Sequence, residues 1–158
     1  MQDASRRSVI FHGVNVVYKV HPFIPQNDTF DSQLSLTDAE IDDLVKWGFN
    51  FVRLGVMWEA VERAPGVYNE SYLDDVEELV NKLGAKGIYT LVDAHQDVFA
   101  RKICGEGAPN FYASEDVNPD HCVGTVIDVF ANLLGICKSI KTYGHRLDKD
   151  GNPLIEDC

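Results

Sequence analysis

The sequence predicts a parallel α/β fold, specifically the opening part of an eight-stranded β/α (TIM) barrel, and three observations carry that prediction. Short β-branched runs alternate with amphipathic helical stretches in the order strand, helix, strand, helix, strand. The stretches between the runs have the length that parallel crossovers need. Polar residues able to carry chemistry gather where the predicted strands end, as they do in parallel α/β folds.

The first predicted strand is Val9-Ile10-Phe11 continued by Val14, Val16 and Val17 around Gly13 and Asn15. A polar, proline-containing stretch from Lys19 to Ser35 follows. Thr37-Asp38-Ala39-Glu40 then has the capping-box pattern, with Ile41, Leu44 and Val45 on one helical face and a stop at Gly48. Phe51 to Met57 is apolar on both faces except for Arg53, as a strand covered on both sides should be. Trp58 to Tyr68 reads as a loop turned by Pro65-Gly66. Leu73, Val76, Leu79, Val80 and Leu83 recur at helical spacing and end at Gly84 and Gly87. Ile88 to Asp93 is the third strand. Beyond His95 the chain is rich in Gly, Asn and Asp, with one predicted helix, Val126 to Ile140, a turn over Asp148 to Pro153, and no fourth strand.

Three strands, two helices and a long cysteine-containing segment are therefore expected to form the N-terminal part of one barrel domain over residues 1–158. A complete barrel takes about 250 residues, and apolar strands left at both edges of a sheet invite aggregation. The alternative is a small open sheet that is complete in itself.

A hydrophobic content of 45% is that of a folded domain and argues against global disorder. With 25 acidic against 14 basic side chains the formal charge is -11, which repels phosphate backbones and excludes nucleic acid as an expected partner. No run of eighteen apolar residues is present, and the opening Met1 to Arg7 has no apolar stretch of the signal-peptide kind. Against that stand Cys104, Cys122, Cys137 and Cys158, and the glycosylation acceptors Asn27 (Asn27-Asp28-Thr29) and Asn69 (Asn69-Glu70-Ser71), which hint at the secretory route. The cysteines are either reduced thiols or disulfides. Of the three disulfide pairings, Cys104 with Cys122 and Cys137 with Cys158 closes two short loops. The absence of a Cys-x-x-Cys pair or a Cys/His cluster at ligand spacing predicts no zinc site, and no cofactor is expected.

Arg53 lies inside a predicted apolar strand and calls for a buried carboxylate partner, Asp93 or Glu59. That pairing is either a structural ion pair or the support of a catalytic carboxylate. His95 is either an active-site donor or a satisfied rim histidine, while His12 and His21 show no pattern. Glu59 and Asp97, at adjacent strand ends, could stand about 5 Å apart, the spacing of a retaining glycosidase pair. Trp58 offers either a sugar-stacking face or simple packing.

The stretches Phe11-His12-Gly13-Val14-Asn15-Val16-Val17-Tyr18-Lys19, Val52-Arg53-Leu54-Gly55-Val56-Met57-Trp58-Glu59 and Gly87-Ile88-Tyr89-Thr90-Leu91-Val92-Asp93-Ala94-His95-Gln96-Asp97 resemble the first three barrel strands of glycoside hydrolase family 5. Cys104-Gly105-Glu106-Gly107 and the segment Asp150 to Cys158 look like its endoglycosylceramidase branch. The resemblance implies retaining hydrolysis of the β-linkage between oligosaccharide and ceramide, by an acid/base Glu after strand four and a nucleophile Glu after strand seven. Both positions are expected outside this chain, which alone should hydrolyse nothing.

Carried over residue by residue, Arg53 matches the arginine that supports the nucleophile and His95 the histidine at the sugar site. Lys19 and Asp97 match positions that contact sugar hydroxyls. The same resemblance demotes Glu59 and Asp97 from a catalytic pair to neighbours of the site, with Trp58-Glu59 as loop support. It implies a monomeric parent, secreted or in a lysosomal or digestive lumen, that touches membrane lipid through its glycosphingolipid substrate. The alternatives are a family 5 β-glycanase on soluble polysaccharide and a short, non-catalytic binder of glycan or glycolipid.

Overall fold

The computed structural model describes residue 2, residues 5–116 and the isolated positions 146, 149 and 154. Its elements run β1 (Gly13–Val16), α1 (Asp38–Lys46), β2 (Phe51–Met57), α2 (Trp58–Val61), β3 (Glu62–Ala64), β4 (Val67–Tyr68), α3 (Glu70–Ala85), β5 (Tyr89–His95), β6 (Val98–Ala100), a 3-10 turn at Arg101–Ile103, β7 (Glu106–Ala108) and α4 (Asn110–Asp116). They fall into two compact units, Met1–Val56 with Asn69–His95, and Met57–Tyr68 with Gln96–Cys158.

The first unit is the predicted α/β piece. Its sheet has the order β1-β2-β5, with β1 and β2 parallel and Gly13, Val14, Asn15 and Val16 opposite Phe51, Val52, Arg53 and Leu54. Gly13 is required by that register, because an added Cβ would lie 1.7 Å from the Phe51 carbonyl oxygen. The first strand is shorter than the sequence predicts. The Ile10 carbonyl accepts from the Asn50 side chain at 3.0 Å and the His12 N–H donates to Asn50 Oδ1 at 2.9 Å. One side-chain amide thus takes the backbone groups that a strand neighbour would otherwise take.

α1 begins as its capping pattern predicts. The Thr37 N–H donates to Glu40 Oε2 at 2.8 Å, and the Glu40 N–H donates to Thr37 Oγ1 at 3.4 Å. Partial burial pushes the Glu40 carboxyl up, but hydrogen bonds from the Thr37 backbone and from the Ser35 and Thr37 side chains together outweigh it and hold the group below its ordinary range. α3 buries Tyr72, Val76, Leu79 and Leu83 on one face and packs against β5. Ile41, Val52, Leu54 and Leu83 are each at most 1% exposed, and burying one side chain of this size contributes about 1.5–3 kcal/mol. On β5, at the edge of the sheet, Tyr89, Leu91 and Val92 remain about half exposed. The expected apolar edge is therefore present among the described residues.

The second unit corrects the expectation of loop and irregular chain. Trp58–Val61 is a single helical turn, and β3 and β4 form an antiparallel hairpin with Glu62 opposite Tyr68 and Ala64 opposite Val67. After His95, β6 and β7 pair in parallel, Val98 with Glu106 through Ala100 with Ala108, and α4 follows. Strands of two or three residues are too short to display an alternating pattern, which is why sequence periodicity passes over them. Cys104, in left-handed conformation at φ 60°, is disulfide-bonded. Cys122, Cys137 and Cys158, the predicted helix Val126 to Ile140 and the Asp148 to Pro153 turn lie outside the described residues, Lys149 excepted.

Candidate active-site residues at the strand ends

In the first unit, β2 and β5 bring Arg53, Asp93 and His95 together. Arg53 Nη2 lies 2.7 Å and His95 Nδ1 2.9 Å from the same atom, Asp93 Oδ2, and the two nitrogens are 3.3 Å apart. With one proton on Nδ1, the ring donates to the carboxylate and cannot also accept from Arg53, so the arginine is anchored on Asp93 alone. Nε2 is then the acceptor nitrogen of the neutral ring. Of the two partners open for Arg53 in the sequence, the structure selects Asp93. The arginine is less enclosed than an all-apolar strand suggests, its side chain being 36% exposed against 10% for His95.

Lys19 lies on exposed chain after β1. Asp97 belongs to the second unit, where its side chain is exposed and its backbone is fixed. Its N–H donates to the Glu106 carbonyl and the Glu106 N–H donates back, both at 2.9 Å. A Cβ on Gly105 would come 2.5 Å from the Asp97 carbonyl oxygen, so only glycine allows that approach. The next two residues, Val98 at φ 62° and Phe99 at φ 127°, sit in backbone regions that non-glycine residues rarely occupy, at a cost of roughly 1–3 kcal/mol each.

Glu59 is removed from candidacy as an acid or nucleophile. It accepts a bidentate pair from Arg101, Nε at 2.8 Å and Nη2 at 3.0 Å, and a third bond from the Gly107 N–H at 3.1 Å. A carboxylate so occupied organises the loop around β7. Glu62, only 4% exposed, accepts from Trp58 Nε1 at 2.7 Å, the Gly66 N–H at 2.8 Å and the Tyr112 hydroxyl at 2.9 Å. The Gly66 backbone bond, aided by Trp58 and Tyr112, holds its carboxyl below the ordinary value, and the bond to Glu62 pushes the Tyr112 phenol up.

Sequence reasoning missed Glu62, Arg101 and Tyr112. The spacing of four between Trp58 and Glu62, with Gly66 four further on, was a usable signal for a turn closed by a carboxylate. Arg101 and Tyr112 meet their partners 42 and 50 residues away and left no local trace. Of the acceptor sequons, Asn27 is exposed on a loop, while Asn69 is partly buried at the N-cap position of α3 without a side-chain capping bond, its Oδ1 accepting from Ser71 Oγ at 3.0 Å.

A sheet of order β1-β2-β5 with β1 and β2 parallel, carrying an Arg–Asp–His group on β2 and β5, fits part of a β/α barrel, the class that holds its chemistry toward the carboxyl ends of its strands. Residues 12–133 match the Cellulase family, glycosyl hydrolase family 5, and the chain belongs to that family. It is 40% identical over 109 residues to an endoglycoceramidase of Cyanea nozakii, an alignment covering 69% of this chain and 22% of that protein. It is 39% identical over 109 residues to endoglycoceramidase I of Rhodococcus hoagii, covering 69% and 21% respectively. The solved structure of endo-glycoceramidase II from Rhodococcus sp. in its ganglioside GM3 complex superposes with a TM-score of 0.60 at 27% identity, over 91% of this chain and 36% of that one. The chain thus spans about a fifth of the length of the curated relatives it matches.

Proposed function

We propose that this chain supplies the substrate-side part of a retaining glycoside hydrolase that cleaves the β-glycosidic bond between oligosaccharide and ceramide in glycosphingolipids. The observation that carries the reading is the Arg53–Asp93–His95 group, in a chain 40% identical over 109 residues to an endoglycoceramidase. Arg53, held by Asp93, supports the nucleophile. His95, oriented through Nδ1, meets the sugar, and Lys19 and Asp97 take sugar hydroxyls. Retention requires two carboxylates facing one anomeric carbon. Among the described residues Glu59 and Glu62 are both occupied by internal hydrogen bonds, which supports the reading that the acid/base and nucleophile glutamates are other residues, supplied from outside this chain.

The disulfide at Cys104 and the exposed acceptor Asn27 support a secreted or lumenal location for the parent. The test is release of free ceramide from a fluorescent ganglioside. The full reading frame is expected to release it, and the 158-residue chain alone is not. Release of sugar from carboxymethylcellulose instead would favour a β-glycanase, and hydrolysis by the isolated chain would overturn the assignment of the glutamates.

A further inference from the structure

We propose that Asn15 is a positioning residue for the nucleophile carboxylate of the parent hydrolase, its side-chain amide forming, with the free edge of the Arg53 guanidinium, a seat of two donor groups. The role rests on the retaining-hydrolase reading, in which Arg53 supports that nucleophile, and adds a second residue to it.

The placement follows from the register. β1 and β2 run parallel with Asn15 opposite Arg53, and neighbouring strands lie about 4.8 Å apart with paired residues on the same face of the sheet. In the order β1-β2-β5, Arg53 has β1 on one side and β5 on the other. From the β5 side, Asp93 Oδ2 holds Arg53 Nη2 at 2.7 Å. Asn15 stands on the β1 side, on the face that carries the Arg53–Asp93–His95 group. The opposite face of β2, with Val52 and Leu54 at most 1% exposed, is already covered. The Arg53 face is therefore the one that the remaining strands of a barrel enclose.

Both groups have donors to spare. Among the described residues Arg53 meets its partners only through Nη2, which leaves Nε and Nη1. Among the same residues the exposed side chain of Asn15 makes no hydrogen bond. Asparagine is depleted in strands, and this one interrupts a run formed by Val14, Val16 and Val17. Enclosing its amide without a partner would be costly, so the partner arrives when the face is closed. A carboxylate meets that need, because its two planar oxygens match the guanidinium fork and can accept from the amide beside it. Hydrolysis with retention requires such a carboxylate. A sugar hydroxyl, taking one of these donors and giving its hydrogen to Asn15 Oδ1, is the competing occupant.

The test uses the full reading frame with Asn15→Val and Asn15→Thr, two strand formers of similar shape of which only the second has a hydroxyl donor. Kinetics are measured on the fluorescent ganglioside, or on carboxymethylcellulose should the parent cleave that instead. Asn15→Val is expected to lower kcat by about 10-fold or more at little changed KM. It should also move the acid limb of kcat/KM to higher pH, since a carboxylate that loses a donor ionises less readily. Asn15→Thr should recover much of both. Parental kcat and acid limb in Asn15→Val overturn the proposal. Equal loss in the two variants overturns it by marking a packing role, and a raised KM at unchanged kcat does so by marking a sugar hydroxyl. A parent that hydrolyses neither substrate removes the retaining-hydrolase reading and this role with it. An active parent indifferent to Asn15→Val removes the role alone.

Discussion

The two units use carboxylates in opposite ways. In the first, Arg53 and His95 meet a single oxygen of Asp93, and the three side chains stand at 36%, 10% and 23% exposure respectively. In the second, Glu59 and Glu62 each accept three hydrogen bonds from the protein itself. A carboxylate with three of its roughly four lone-pair sites taken by the protein builds structure, whereas one that orients an imidazole and a guanidinium from one side prepares those groups for a ligand. The number of donors converging on each acid, rather than its position after a strand, separates a candidate site from scaffold.

Five measurements can break or sharpen that contrast. The largest expected effect is on the core of the first unit. Leu83→Ala removes a side chain at 0% exposure and should cost about 3 kcal/mol in urea unfolding. Thr37→Ala, which breaks the capping box of α1, should cost about 1 kcal/mol by the same measurement. Asp93→Ala tests orientation instead of stability. Nitrogen-15 shifts should report a single Nδ1–H tautomer of His95 in the parent chain and a mixture in the variant, and an unchanged tautomer would show that Asp93 does not orient the ring.

The acid of the second unit makes a pH prediction. Glu62 has a folded value below its ordinary 4.5, so its contribution is complete above that value and is lost as pH falls through the depressed folded one. Tyr112, raised above its ordinary 10.0, acts at the other end, its contribution being lost as pH rises through the folded value. Trp58 emission in the Trp47→Phe background should therefore be flat between these limits and change beyond both. The smallest effect is expected at the exposed Lys46–Asp43 pair, where Lys46→Ala should leave the unfolding midpoint unchanged within error.

Much of the first unit was legible because its signals are local. The Thr37/Glu40 box, the spacing of Val76, Leu79 and Leu83, and the doubly apolar Phe51 to Met57 each depend on residues a few positions apart, and all three elements form where predicted. Arg53 was legible as a charge in need of a partner, since an apolar strand tolerates an arginine only when it is paired. Val9-Ile10-Phe11 was misread because its β-branched composition carries no information about Asn50, forty residues on from Ile10, which takes its backbone bonds. The hairpin, β6, β7 and α4 were not legible, being too short for their periodicity to register.

The sequence by itself determined the order of strands and helices in the first unit and its membership of the barrel class, because periodicity, capping and composition act over a few residues at a time. Only the tertiary structure decided that Arg53 takes Asp93 and that Glu59 takes Arg101. It likewise turned Tyr112 onto buried Glu62. Those choices depend on distances between side chains 40 to 50 residues apart in the chain, which packing sets and no local pattern encodes.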